Sequence, residues 1–337
     1  MPDARRPTQK PTPHAPGPKP VDAWPDLPLA PWASTQQTLH LWTQIVGKVR
    51  LALAPVANHW WATTFYLTPR GLTTGVLYHP NGPLELAFDF VDHRLTIDLP
   101  HAREAMELRP RSVADFHDEL MSTLRRLERG VVIGGTPNEL PDPIPYAEDE
   151  THGSYDAGAV ERFLRAMQTS DRLLRVFAAR WLGKQSPSHF FWGSFDMALT
   201  RFSGRGAPEH PGGFPHLPDW VTREAYSHEL ASFGWWPGNG PFGRAAFYAY
   251  AYPTPDGFRD ATDLPDGAFW LDELGEYVFP WDDARAADDP DAAVLRFLQA
   301  TYEAAASAGG WPRDALEGDA GRPDRLERLV RRSDRPV

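Results

Sequence analysis

The chain has 337 residues, 42% of them hydrophobic and 12% aromatic, which is enough apolar material for a large core in one or two domains. A formal charge of -11 argues against general nucleic-acid binding, which rests on concentrated Lys and Arg, and the absence of cysteine removes disulfides, thiolate metal sites and cysteine nucleophiles together. No apolar run approaches the roughly 20 residues of a membrane span and no apolar stretch follows the basic amino terminus, so a cytoplasmic protein without a membrane partner is expected.

Residues 1–22 form a Pro-rich tract too poor in apolar side chains to offset the entropy of ordering, and a disordered tail is expected there. The first half, residues 23–135, opens with a helix from about Ser34, where Ser34 and Gln37 have capping-box spacing; Leu39, Trp42, Ile45, Val46 and Val49 then recur at helical period until Pro55. Four β-rich segments follow at 60–68, 72–78, 84–91 and 94–99, with a Pro80-Asn81-Gly82 turn, and read as a meander. A second helix capped by Ser112 puts Val113, Phe116, Leu120, Leu124 and Leu127 on one face.

A connector at 136–156, rich in proline up to Pro145, leads to the second half, residues 157–311. Its helix reaches from Asp156, the expected N-cap, to about Leu182, and carries a stripe that includes Val160, Phe163, Met167, Leu174 and Phe177. Strands are expected at 189–202, 226–236, 245–252 and 269–279, a helix at 291–306, and a charged tail at 312–337. The order helix, four strands, helix thus occurs twice, and residues 59–65 (HWWATTF) match 189–195 (HFFWGSF) without gaps at the same place in each half. The expected fold class is α+β, two similar helix–four-strand–helix halves packed as one pseudo-symmetric unit. Chance recurrence of a helix before an aromatic strand is the plainer alternative to duplication.

Within the aromatic segment 188–196, His189 and Asp196 read as an acid/base pair or as metal ligands. A separation of seven would put them on opposite sides of a regular strand, so a bulge at Gly193 is required. In the segment 224–229, Glu224 and His228 share a face suited to two metal ligands if it is helical, whereas Tyr226 and His228 point together if it is extended. The plainer alternatives are a buried histidine bonded to backbone, an aspartate at a strand turn and a solvated loop. The catalytic candidates are therefore His189, Asp196, His228 and Glu229, and the ligand-binding candidates are His59, Trp61, Trp192, Tyr226 and His152, the last more readily a local structural residue beside its acidic neighbours. His189, His228 and Glu224 are the candidate ligands of a divalent metal held by His and carboxylate. Gly238, Gly240 and Gly243 have dinucleotide-loop spacing, but a strand is expected after them where that fingerprint needs a helix.

The segments 39–48, 58–61, 88–94, 188–196, 202–205 and 224–229 make the chain similar, from about Trp24 to Trp311, to a bacterial protein family catalogued as domain of unknown function 5996. The resemblance implies that the two tails are peripheral to a shared unit; it implies no activity, cofactor or catalytic residue. Three functions stay open: an enzyme acting on a small molecule at a His/carboxylate site, with or without a metal, in an aromatic cleft between the halves; a non-catalytic module binding a small-molecule ligand; and an interaction protein using the 203–219 loop. The oligomeric state is not legible.

Overall fold

The computed structural model describes residues 22–239 and 242–318, so the tail expectations for 1–21 and 319–337 lie outside the described residues. Helix α1 (Ala33–Leu53) leads through a 3-10 segment (Asn58–Thr63) into β1 (Thr64–Thr68), β2 (Gly71–His79), β3 (Gly82–Asp89), β4 (Arg94–Leu99) and β5 (Ala102–Glu107), followed by α2 (Val113–Arg126). After the connector come α3 (Ala157–Ala178), β6 (His189–Phe191), β7 (Asp196–Gly206), α4 (Asp219–Ala225), β8 (His228–Trp236) and β9 (Ala246–Tyr252). The hairpin of β10 (Phe269–Leu271) and β11 (Glu276–Pro280) precedes α5 (Trp281–Ala286), α6 (Pro290–Ala308) and α7 (Arg313–Leu316). Among the described residues no helix is long and apolar enough to cross a membrane.

Local chemistry accounts for the helix ends. Ser112 Oγ accepts the Asp115 amide at 3.1 Å and Asp156 Oδ1 accepts the Ala159 amide at 3.0 Å, as the sequence predicts. The Ser34 capping box does not form, because α1 already begins at Ala33 and Ser34 lies inside its first turn. Helix α3 stops at Ala178, short of Leu182.

The protein is α+β, with all eleven strands in one antiparallel sheet of order β10-β11-β9-β8-β7-β6-β1-β2-β3-β4-β5. The first strands of the two halves meet at its centre through Thr64↔Phe191 and Phe65↔Phe190. The halves hold five and six strands, not four each. Strand β5 escapes the sequence reading because it is an edge strand with mostly exposed side chains and so lacks an apolar alternation. The single strand expected at 189–202 is a hairpin, β6 paired with β7, whose turn brings Phe195 to φ 62. Its one marker, Gly193, reads equally as a bulge. The single strand expected at 269–279 is likewise a hairpin, β10 paired with β11, and β11 pairs with β9. His59 lies in the 3-10 segment at φ 55 while His189 opens β6, so the two do not occupy matching strand starts.

Alternation along the strands decides which side chains meet the helices. Arg201 lies over the Phe177 ring of α3 at 3.6 Å, Phe233 packs on the same ring at 4.9 Å, and Trp235 lies 6.0 Å from Phe163. Asp196, Ala198 and Thr200 of β7, Leu230 and Ser232 of β8, and Tyr248 and Tyr250 of β9 therefore point to the opposite face. The buried core itself is continuous through both halves.

Candidate functional site

The face of β7, β8 and β9 turned away from α3 floors a cavity of about 630 Å³. Four pieces of chain roof it: the end of α1 at Lys48, the 3-10 segment from His59, the connector as far as Glu139, and the segment 214–226 with α4. Trp60, Trp61, Trp192 and Trp220 contribute large apolar walls, and Trp220 is edge-on to Trp60 at 5.1 Å. Val132 and Trp220 remain 93% and 59% exposed and so form an apolar rim.

The polar part of the floor centres on Asp196, which opens β7 and is 7% exposed. The Tyr248 hydroxyl donates to its Oδ2, and Oδ1 has no hydrogen-bond partner. Burial pushes the Asp196 carboxyl up to about 6, against the opposing pull of Tyr248 and Ser194. Burial and the nearby Asp196 charge likewise push Glu139 up to about 7 and Glu276, at the start of β11, up to about 8. The Tyr226 and Tyr250 hydroxyls are 2.9 Å apart beside this group, and burial first, then Asp196 or Tyr226, holds the Tyr248 and Tyr250 phenols protonated well above their ordinary range.

Two glycines make this arrangement sterically available. A Cβ at Gly234 would overlap the Tyr248 phenol and the Met197 carbonyl, so only glycine lets that ring lie across β8 toward Asp196. A Cβ at Gly193 would overlap the Glu139 carboxylate. The Gly193 carbonyl is held from behind by His40 Nε2 at 2.7 Å, and burial lowers that imidazole to about 4, which makes it a neutral N–H donor.

A second polar group flanks the cavity near Phe202. His59 donates from Nδ1 to the Ala225 carbonyl at 2.8 Å and accepts at Nε2 from Lys184 at 2.6 Å, and its ring packs 4.4 Å from Phe202 and 5.6 Å from His228. Burial lowers His59 despite the Ala225 bond, with Lys184 and His228 adding to the effect. Lys48 bonds to Asn138 Oδ1, and burial takes its ammonium down to about 8.

Of the sequence candidates, Asp196, His59, Trp61, Trp192 and Tyr226 line the cavity. The β6–β7 turn puts His189 and Asp196 on the same face after all, through Phe191↔Asp196 and His189↔Ala198, but they share no hydrogen bond. His189 is 0% exposed among Trp61, Tyr66 and Phe191, with neither ring nitrogen bonded and burial holding it at about 3. His228 bonds to Ser227 Oγ at 3.0 Å, and Glu229 is committed to Arg205 at 2.6 Å and Ser203 at 2.8 Å. His152 pairs with Asp149 at 2.8 Å beside the start of α2, outside the cavity lining. The metal set His189, His228 and Glu224 is not gathered: α4 ends at Ala225, which breaks the shared helical face of Glu224 and His228, and His189 is packed among Trp61, Tyr66 and Phe191. Among the described residues no group of three or more His, Asp or Glu side chains is placed to hold a metal ion.

The sequence reading missed Glu139, Tyr248 and Tyr250. A signal existed for the tyrosines, since Tyr248, Tyr250 and Tyr252 recur at period two and so share one face of a strand. Nothing local marks Glu139, which reaches the cavity because its own φ of 62 turns the connector there.

A family model described as a family of unknown function, domain of unknown function 5996, matches residues 24–318, and the chain belongs to that family. No curated protein and no solved structure matches the chain.

Proposed function

We propose that this family member binds a small organic molecule in the cavity, with the aromatic walls enclosing its apolar body and Asp196 with Tyr248 holding a polar group. The observation that carries the reading is the state of Asp196: buried, bonded on one oxygen by a phenol, and unpartnered on the other. A buried carboxylate oxygen without a donor is destabilising, and folds retain such groups where a ligand engages them. A volume of about 630 Å³ fits a small-ligand site. The central pairing of β1 with β6 is what an internal duplication would leave, and we retain duplication as the proposed origin of the fold.

Four cavity tryptophans make intrinsic fluorescence the natural assay. A small-molecule screen should yield compounds that quench it, and Asp196→Asn and Tyr248→Phe should each weaken those compounds about tenfold with circular dichroism unchanged. Hits indifferent to both substitutions would sink the reading.

Enzymatic proton transfer is the second reading, and one observation favours it. Glu139 and Asp196 sit in one site with carboxyls near 7 and near 6, so between those values the first is mostly protonated and the second mostly ionised. Turnover of a bound compound would then show a bell-shaped pH profile, with Glu139→Gln removing one limb and Asp196→Asn the other. A flat profile would exclude this pair as acid and base.

A further inference from the structure

The geometry points to an organic ammonium as the group that the Asp196 end of the cavity receives; this rests on the small-molecule reading above and narrows it to a ligand class. Four aspartates of the described chain are buried: Asp89, Asp149, Asp171 and Asp196. Three of them face a basic side chain, Arg70 at 2.8 Å, His152 at 2.8 Å and Arg175 at 2.7 Å respectively. Among the described residues Asp196 has no such partner, and neither have Glu139 and Glu276, which lie close enough to feel its charge. Two of the other buried aspartates thus meet a guanidinium and the third an imidazole, whereas Asp196 faces a cavity.

The surroundings fit a cation and disfavour an anion. Phe191 stands directly across from Asp196 on the same sheet face, and the Tyr248 ring reaches it from β9, so a positive group at Oδ1 also meets aromatic faces. The hydroxyls of Tyr226 and Tyr250 and the Ser232 side chain offer further acceptors. The basic side chains of the lining are hydrogen-bonded to groups other than Asp196, Lys48 to the Asn138 amide and His59 to Ala225 and Lys184. A cavity of about 630 Å³ with tryptophan walls suits an organic cation better than a bare ion. The overall charge of -11 favours approach of cations.

The test is a tryptophan-fluorescence titration of the full chain with three probes: 2-phenylethylammonium, its uncharged carbon isostere propylbenzene, and the anion 3-phenylpropanoate. The ammonium is expected to bind about tenfold tighter than the isostere, and the anion more weakly than either. Asp196→Asn should remove about tenfold from the ammonium and leave the isostere within about twofold; Glu139→Gln, on a residue outside the sheet, should act in the same direction at about pH 8, where Glu139 is mostly ionised, and guards against a folding defect in the first variant. If the isostere binds as tightly as the ammonium, or both variants leave the ammonium unaffected, the ligand class is wrong while the cavity reading stands. If none of the three probes binds, both fall.

Discussion

Asp89 and Asp196 stand at strand ends in opposite halves of the sheet, each 7% exposed, yet their proton affinities move in opposite directions. Burial raises both. At Asp89 the Arg70 guanidinium and the amides of Asp92 and Val91 together outweigh it and hold the carboxyl below its ordinary value. At Asp196 the Tyr248 phenol, the Ser194 hydroxyl and its own amide, all neutral, do not, and the carboxyl stays near 6. Depth alone therefore does not identify a working acid. What distinguishes the two is the partner that the described chain supplies: a guanidinium and two amides at Asp89, a phenol at Asp196.

Four substitutions and one change of condition break or sharpen this contrast. Gly234→Ala should have the largest effect, a loss of about 3 kcal/mol in urea denaturation, because the added carbon overlaps both a backbone carbonyl and the phenol that serves Asp196. A loss under about 1 kcal/mol would mean that the close approach is not what positions Tyr248. Asp89→Ala should cost about 2 kcal/mol, the half-exposed Arg70 limiting the loss, whereas Asp196→Asn should cost under about 1 kcal/mol or stabilise, since it removes an uncompensated buried charge and keeps an acceptor for Tyr248. Equal losses in the two variants would erase the distinction.

The pH dependence is smaller and has a defined sign. Glu139 and Glu276 bind protons more tightly folded, near 7 and near 8, than their ordinary 4.5, so they make the ligand-free protein lose stability as pH rises through neutrality. His40, His59, His189 and His210, all lowered by burial, oppose this while the unfolded imidazole still takes up protons around 6.5, and the lowered Lys48 and Lys184 oppose it toward pH 8, so the loss is clearest between about pH 7 and about pH 7.5. Asp89, held low, contributes its stability above 3.8 and adds no slope in this window. A melting temperature that rises between about pH 7 and about pH 7.5 would contradict the assignment of buried acids. The smallest effect belongs to Gly193→Ala, which overlaps only the end of a flexible glutamate: under about 1 kcal/mol, with a shallower pH slope as Glu139 turns aside. An unchanged slope would show that Gly193 does not set the position of Glu139.

The legible parts of the site are those that advertise themselves within a few residues. Asp196 and Trp192 stand out in an aromatic run, and Trp61 and His59 in another, and all four reach the cavity. His189 stands out equally and yet is sealed behind Trp61, because exposure depends on which ring packs over it. Glu229 is as conspicuous as Asp196 but is taken up by Arg205, a partner from the neighbouring strand.

By itself the sequence determined the four long helices α1, α2, α3 and α6, the caps at Ser112 and Asp156, the strands β2, β3, β4, β8 and β9 and the α+β class, because capping and periodicity act over three or four residues and every such residue is in view. Only the tertiary structure decided the site. Tyr248 reaches Asp196 across 52 residues and His59 reaches Ala225 across 166, through a sheet register that no local pattern encodes. A charge becomes available for binding when packing withholds its partners, and packing is a property of the whole fold.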